Sequence, residues 1–128
     1  TNITPTLAAL PAAGASDVAI LAIGRNDLAG DMDSTEQTDY NAIVDALLTK
    51  GYGRVICRGV LPESGGPFTA FNTTMESLVT ARADAKVVYI NTNTWSGIAT
   101  GDGVHPTIAG YGTIRGYAIP AYTPHIPS

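Results

Sequence analysis

"DVAILAIG", residues 17–24, decides the fold. Six consecutive apolar residues, Val18 to Ile23, stand between Asp17 and Gly24 without a polar interruption. A strand with one wet face alternates apolar and polar residues, whereas a strand covered on both faces of a parallel sheet is apolar throughout. The run therefore predicts a buried strand of a parallel sheet, closed by Gly24. The next long segment fits the helices such a sheet requires. "STEQTDYNAIVDALLTKG", residues 34–51, places Tyr40, Ile43, Val44, Leu47 and Leu48 on one helical stripe. Ser34 and Gln37 have the spacing of a capping box, and Gly51 supplies the stop.

The alternation continues to the end of the chain. "RVICRGVLP", residues 54–62, reads as a second strand closed by Pro62, and "FTAFNTTMESLVTARADA", residues 68–85, as a helix with Phe71, Met75, Leu78 and Val79 on one face. "KVVYIN", Lys86–Asn91, is a third strand. A loop carrying Trp95 then leads to Pro106, which is expected to open a final helix made weak by Gly110, Gly112 and Gly116. Ahead of the first strand, "TPTLAALPAAG" predicts a short helix with Thr4 as cap and Pro5 in its first turn. Strand and helix in regular alternation predict one α/β domain over residues 1–128: a three-layer α/β/α arrangement with a parallel sheet and right-handed crossovers.

Composition narrows the function. The 128 residues carry eleven acidic and seven basic side chains, a formal charge of −4, which makes nucleic acid and anionic membrane poor partners. No apolar run approaches the 18 residues of a membrane span. Cys57 is the single cysteine, so no internal disulfide can form. "SGGP", residues 64–67, lacks the spacing and the lysine of a phosphate-binding loop. Asp31, Asp33 and Glu36 do not complete a calcium-loop pattern, so no metal and no cofactor is expected. Few lysines beside many Thr and Asn residues lean slightly towards an extracellular setting.

Chemistry collects beyond the carboxyl ends of the strands in sheets of this kind. Two polar segments fall there: "GRND", residues 24–27, after the first strand, and "GDGVHPTIAGY", residues 101–111, after the third. They are expected to face one another. His105 is suited to act as a general base at neutral pH, and Asp102, three residues earlier across a glycine, can fold back to fix its tautomer. Asn26 offers an amide donor to a developing oxyanion. Each segment alone also suits an ordinary role, "RND" as an Asx-turn and "DGVHP" as a helix start. Trp95 and Tyr111 are expected to be packing residues, His125 a solvated tail residue and Arg25 an exposed side chain.

Taken together, "DVAILAIGRND" resembles the third conserved block of the SGNH, or GDSL-type, hydrolases, and "DGVHPTIAGY" resembles their fifth, with a similar separation. The resemblance spans nearly the whole chain and implies a flavodoxin-like α/β fold and a serine ester hydrolase of acyl or acetyl esters, small-molecule, lipid or carbohydrate. It implies a Ser-His-Asp triad with Asp102 and His105 as two members, Asn26 in the oxyanion hole, and Asp27 as a loop-organising residue. A non-catalytic carbohydrate-binding or structural module on the same scaffold is the alternative.

The family's G-D-S block and the glycine that serves as second oxyanion donor have no counterpart here. Ser64 is expected to be an ordinary loop serine, Ser16 lies at the wrong end of the sheet, and Ser34 is accounted for as a helix cap. In the family the nucleophile strand lies beside the strand equivalent to residues 18–23, which would otherwise present an apolar edge. The chain, which begins at Thr1 rather than Met, is therefore expected to be the C-terminal portion of a larger hydrolase domain, paired with an N-terminal companion segment that supplies the serine.

Overall fold

A computed structural model of the chain describes residues 4–25, 30–62 and 68–128. Its elements run α1 (Thr4–Ala9), β1 (Val18–Leu21), α2 (Ser34–Thr49), β2 (Arg54–Arg58), α3 (Thr69–Arg82), β3 (Val87–Ile90) and α4 (Ile108–Tyr122), followed by one 3-10 turn at Thr123–His125. The three strands form a parallel sheet in the order β1-β2-β3, with Ile20 opposite Ile56 and Ile56 opposite Val88. The expected α/β class and parallel sheet are present.

Alternation along the strands divides the core in two. Leu21, Val55, Cys57 and Val87 face one side, where Tyr40, Ile43, Val44 and Leu47 of α2, Phe71, Met75 and Val79 of α3, and Leu7 of α1 pack against them. Ile56 and Ile90 face the other, joined by Val18, Val88, Trp95 and the α4 residues Ile114, Tyr117, Ala118, Ala121 and Tyr122. Both crossover helices, α2 and α3, thus lie on one face and α4 on the other. Val44, Val55, Ile56, Cys57 and Met75 are fully buried.

The helices form where their apolar stripes meet the sheet, but two starts differ from the sequence expectation. The capping residue of α2 is Asp33, not Ser34: its carboxylate accepts from the Glu36 N–H at 2.8 Å, and the Glu36 carboxylate accepts from the Asp33 N–H at 2.8 Å. Ser34 is the first helical residue. Asp33 prevails because it holds the extended backbone a cap needs, and both oxygens of the reciprocal pair are carboxylates. Similarly, α4 is capped by Thr107, whose hydroxyl accepts from the Gly110 N–H at 3.2 Å. Pro106 does not open the helix but stands before the cap, in a bridge with Thr100.

The expectation that residues 18–23 are covered on both faces fails at β1. Ile20 is 53% exposed although its partner Ile56 is fully buried, and Ala22 is exposed. The reason is positional: among the described residues β1 pairs only with β2, and Ile20 is not part of the cluster that packs against α4.

Candidate active site

The loop between β3 and α4 is built on hydrogen bonds that hold it against the first turn of the helix. The Gly101 N–H donates to the His105 carbonyl at 3.1 Å, and the Thr107 N–H donates to the Ala99 carbonyl at 2.9 Å. Between them lies a tight turn. Asp102 Oδ1 accepts from the backbone N–H groups of Val104 at 2.9 Å and His105 at 2.7 Å, while Oδ2 stands 2.6 Å from His105 Nδ1. Gly103 makes this possible with φ +83°, a conformation a side-chain-bearing residue adopts at a cost. One carboxylate thus fixes the loop backbone with one oxygen and orients the imidazole with the other.

The electrostatics follow from that geometry. The His105 backbone N–H, the His105 ring and the Val104 N–H together hold the Asp102 carboxyl well below the usual carboxylate range, so it is ionised at neutral pH. Occupation of Nδ1 by Asp102 leaves Nε2 to exchange a proton. The histidine side chain is 80% exposed and that of Asp102 57% exposed, so the pair is open to a reactant or to another polypeptide. Among the described residues no hydroxyl or thiol is hydrogen-bonded to the His105 ring. Cys57, the one thiol, is buried in the sheet, and burial pushes its pKa up, which removes it as a nucleophile.

Past the carboxyl end of β1, Gly24 has φ +104°, and a Cβ there would meet the Phe71 ring at 2.6 Å. Gly24 is therefore required both by conformation and by the closeness of α3. Arg25 is next, half-buried rather than exposed as expected, with its guanidinium 5.0 Å from the centre of the Phe68 ring. Asn26 and Asp27 lie outside the described residues, as does Ser64. Of the expected site residues the structure brings together Asp102 and His105.

Two polar residues that the sequence does not single out organise the same end of the sheet. Asn72 of α3 and Thr92, both buried, gather the loops after β2 and β3. The Asn72 amide donates to the Val60 carbonyl at 2.9 Å and to Asn93 Oδ1 at 2.7 Å, and its oxygen accepts from the Val60 N–H at 2.7 Å. Thr92 donates to the Val60 carbonyl at 2.7 Å. Their partners lie 12 to 32 residues away in the sequence, so no local pattern marks them. Trp95 is buried, as expected of a packing residue, and stacks on Tyr117 with centroids 5.3 Å apart. Tyr111 is not: it is 61% exposed, on a flank of α4 that none of the described elements covers. His125 is half-buried in the 3-10 turn rather than in a free tail.

Among the described residues no group of His, Cys, Asp and Glu side chains is arranged to hold a metal, and no helix is long and apolar enough to cross a membrane. The chain matches no protein-family model, no curated protein and no solved structure.

Proposed function

We propose that the chain is the histidine- and aspartate-bearing portion of a serine ester hydrolase of the SGNH type, completed by a companion segment that carries the serine. The observation that carries this reading is the contact between Asp102 and His105 Nδ1, made by a carboxylate already fixed through two backbone N–H groups. A helix-start turn requires the backbone bonds. It does not require an exposed imidazole held by the second oxygen.

In the reaction, the serine oxygen attacks the acyl carbon and its proton passes to His105 Nε2. Asp102 stabilises the imidazolium through Nδ1, and the Asn26 amide helps to hold the oxyanion. The alcohol leaves with the proton from Nε2, and water repeats the sequence to release the acid. Acyl and acetyl esters, including acetylated sugars, are the substrate class.

Hydrolysis of a chromogenic acetate ester by the complete protein tests the proposal. A His105→Ala variant is expected to lose at least ~10³-fold in rate, the order found when a triad member is removed. Equal rates for the two proteins would leave a binding or structural module as the function.

A further inference from the structure

The dyad sits at the tip of a short hairpin that burial does not hold. Asp102, Val104 and His105 are exposed, and the bonds that the Asp102 carboxylate makes to Val104 and His105 all lie within three residues of it. Those bonds fix the two side chains relative to each other. They do not fix where the turn, and with it His105 Nε2, points. That direction is set at the base of the hairpin.

The base is one antiparallel bridge. Thr100 stands opposite Pro106, and the two bonds that flank them run from the Gly101 N–H to the His105 carbonyl at 3.1 Å and from the Thr107 N–H to the Ala99 carbonyl at 2.9 Å. Thr100 and Pro106 are thus a non-hydrogen-bonded pair, the place in a ladder where no N–H is needed, so the proline costs no bond. Proline also confines the residue before it, here His105, to extended backbone. A two-stranded hairpin standing alone is marginal at best, so this one needs a further hold.

Two residues at the start of α4 supply it. The Thr107 hydroxyl accepts from the Gly110 N–H at 3.2 Å and donates to the Ala99 carbonyl at 3.3 Å, so the helix cap and the hairpin base share one oxygen. The Ala99 carbonyl therefore takes both donors of Thr107, backbone and side chain. Gly110 is buried against it: an added Cβ would collide with the Ala99 carbonyl oxygen and stand 3.2 Å from Pro106 Cβ. The missing side chain is what lets the hairpin lie on the helix. Both partners are anchored further in, since Ile98, next to Ala99, and Ile114, one turn beyond Gly110, pack in the same apolar cluster as Trp95.

We infer that Thr107 and Gly110 are positioning residues: together they clasp the hairpin base to the first turn of α4 and so set the direction in which His105 Nε2 meets its reactant. The inference deepens the proposed hydrolase function and rests on that reading for the identity of the reactant. Each residue acts through His105 and not on the reacting atoms. Aim matters because a general base works only within hydrogen-bond reach of the proton it takes, and a displacement of about 1 Å costs up to ~10²-fold in rate.

NMR relaxation of the backbone amides and ester hydrolysis, both on the complete protein, test the inference with three variants. Thr107→Asp keeps a good helix cap but has no proton for the Ala99 carbonyl, and Gly110→Ala raises helix propensity but fills the gap against Ala99. Both changes favour the helix, so a role in helix stability alone predicts no loss. Each is expected to leave the circular dichroism unchanged and to lower the order parameters of the Val104 and His105 amides from about 0.85 to below about 0.6. Each is also expected to lower kcat for a chromogenic acetate ester by ~10- to 10²-fold with KM within about twofold. Thr107→Ser, which keeps the hydroxyl, is expected to match the unaltered protein in every one of these measurements. Unchanged order parameters in Thr107→Asp and Gly110→Ala, or an unchanged kcat where hydrolysis depends on His105, overturn the inference. If the order parameters fall as expected while the complete protein hydrolyses no ester, the clasp stands and only the hydrolase reading is wrong.

Discussion

Asp102 does two jobs with two oxygens, and each has its own signature. Its backbone bonds and its contact with the His105 ring favour the charged carboxylate, so its pKa is depressed in the folded protein. A depressed carboxyl pKa contributes stability that is complete above the unfolded value and is lost as pH falls through the folded one. The Asp102 carboxyl carbon is accordingly expected to titrate below the ordinary aspartate range by NMR; a midpoint at or above that range contradicts the assigned contacts. Asp102→Asn keeps the size of the side chain but can donate to Nδ1, favouring the wrong tautomer. Under the proposed hydrolase function it is expected to lower kcat by about 10⁴-fold with the fold intact. This pair is legible in the sequence because both members sit on one four-residue turn, Asp102 to His105, with Gly103 and Val104 between them. Tyr111 is not legible for the opposite reason: its environment is decided by what lies beside α4, which helical spacing does not reveal.

The elements themselves are legible wherever burial leaves a periodic trace. The apolar run of β1 and the stripe of α2 both identify their segments, since the same burial that stabilises each element selects its residues. Ends are harder. Asp33 and Ser34 each have a carboxylate or amide side chain three residues on, Glu36 or Gln37, and only the backbone geometry of the folded chain chooses between them. The lock between α3 and the loops after β2 and β3 is not legible, because Asn72 finds its partners across the sheet. Asn72→Leu removes an amide that makes bonds to Val60 and Asn93, leaving the buried Val60 N–H without its acceptor. Each such orphaned group costs about 1–3 kcal/mol. Chemical denaturation is expected to show a loss of about 2–3 kcal/mol for this variant, and no loss would mean that apolar packing alone holds α3.

At the scale of the molecule, three parallel strands with α1, α2 and α3 on one face and α4 alone on the other make an asymmetric sheet. The covered face buries the apolar stripes of α2 and α3, whereas the α4 face stops short at Ile20. The apolar sequence of residues 18–23 predicts coverage on both sides, and among the described residues Ile20, like Ile108, Tyr111 and Ile119 of α4, is left exposed. The dyad lies in the loop that leads from β3 into α4.

Covalent labelling with a fluorophosphonate probe, combined with peptide mass spectrometry of the complete protein, tests the central claim most directly. The account predicts a labelled serine on the companion segment, no label on residues 1–128, and loss of labelling in His105→Ala. A label on a serine of this chain, or labelling indifferent to His105, would contradict it.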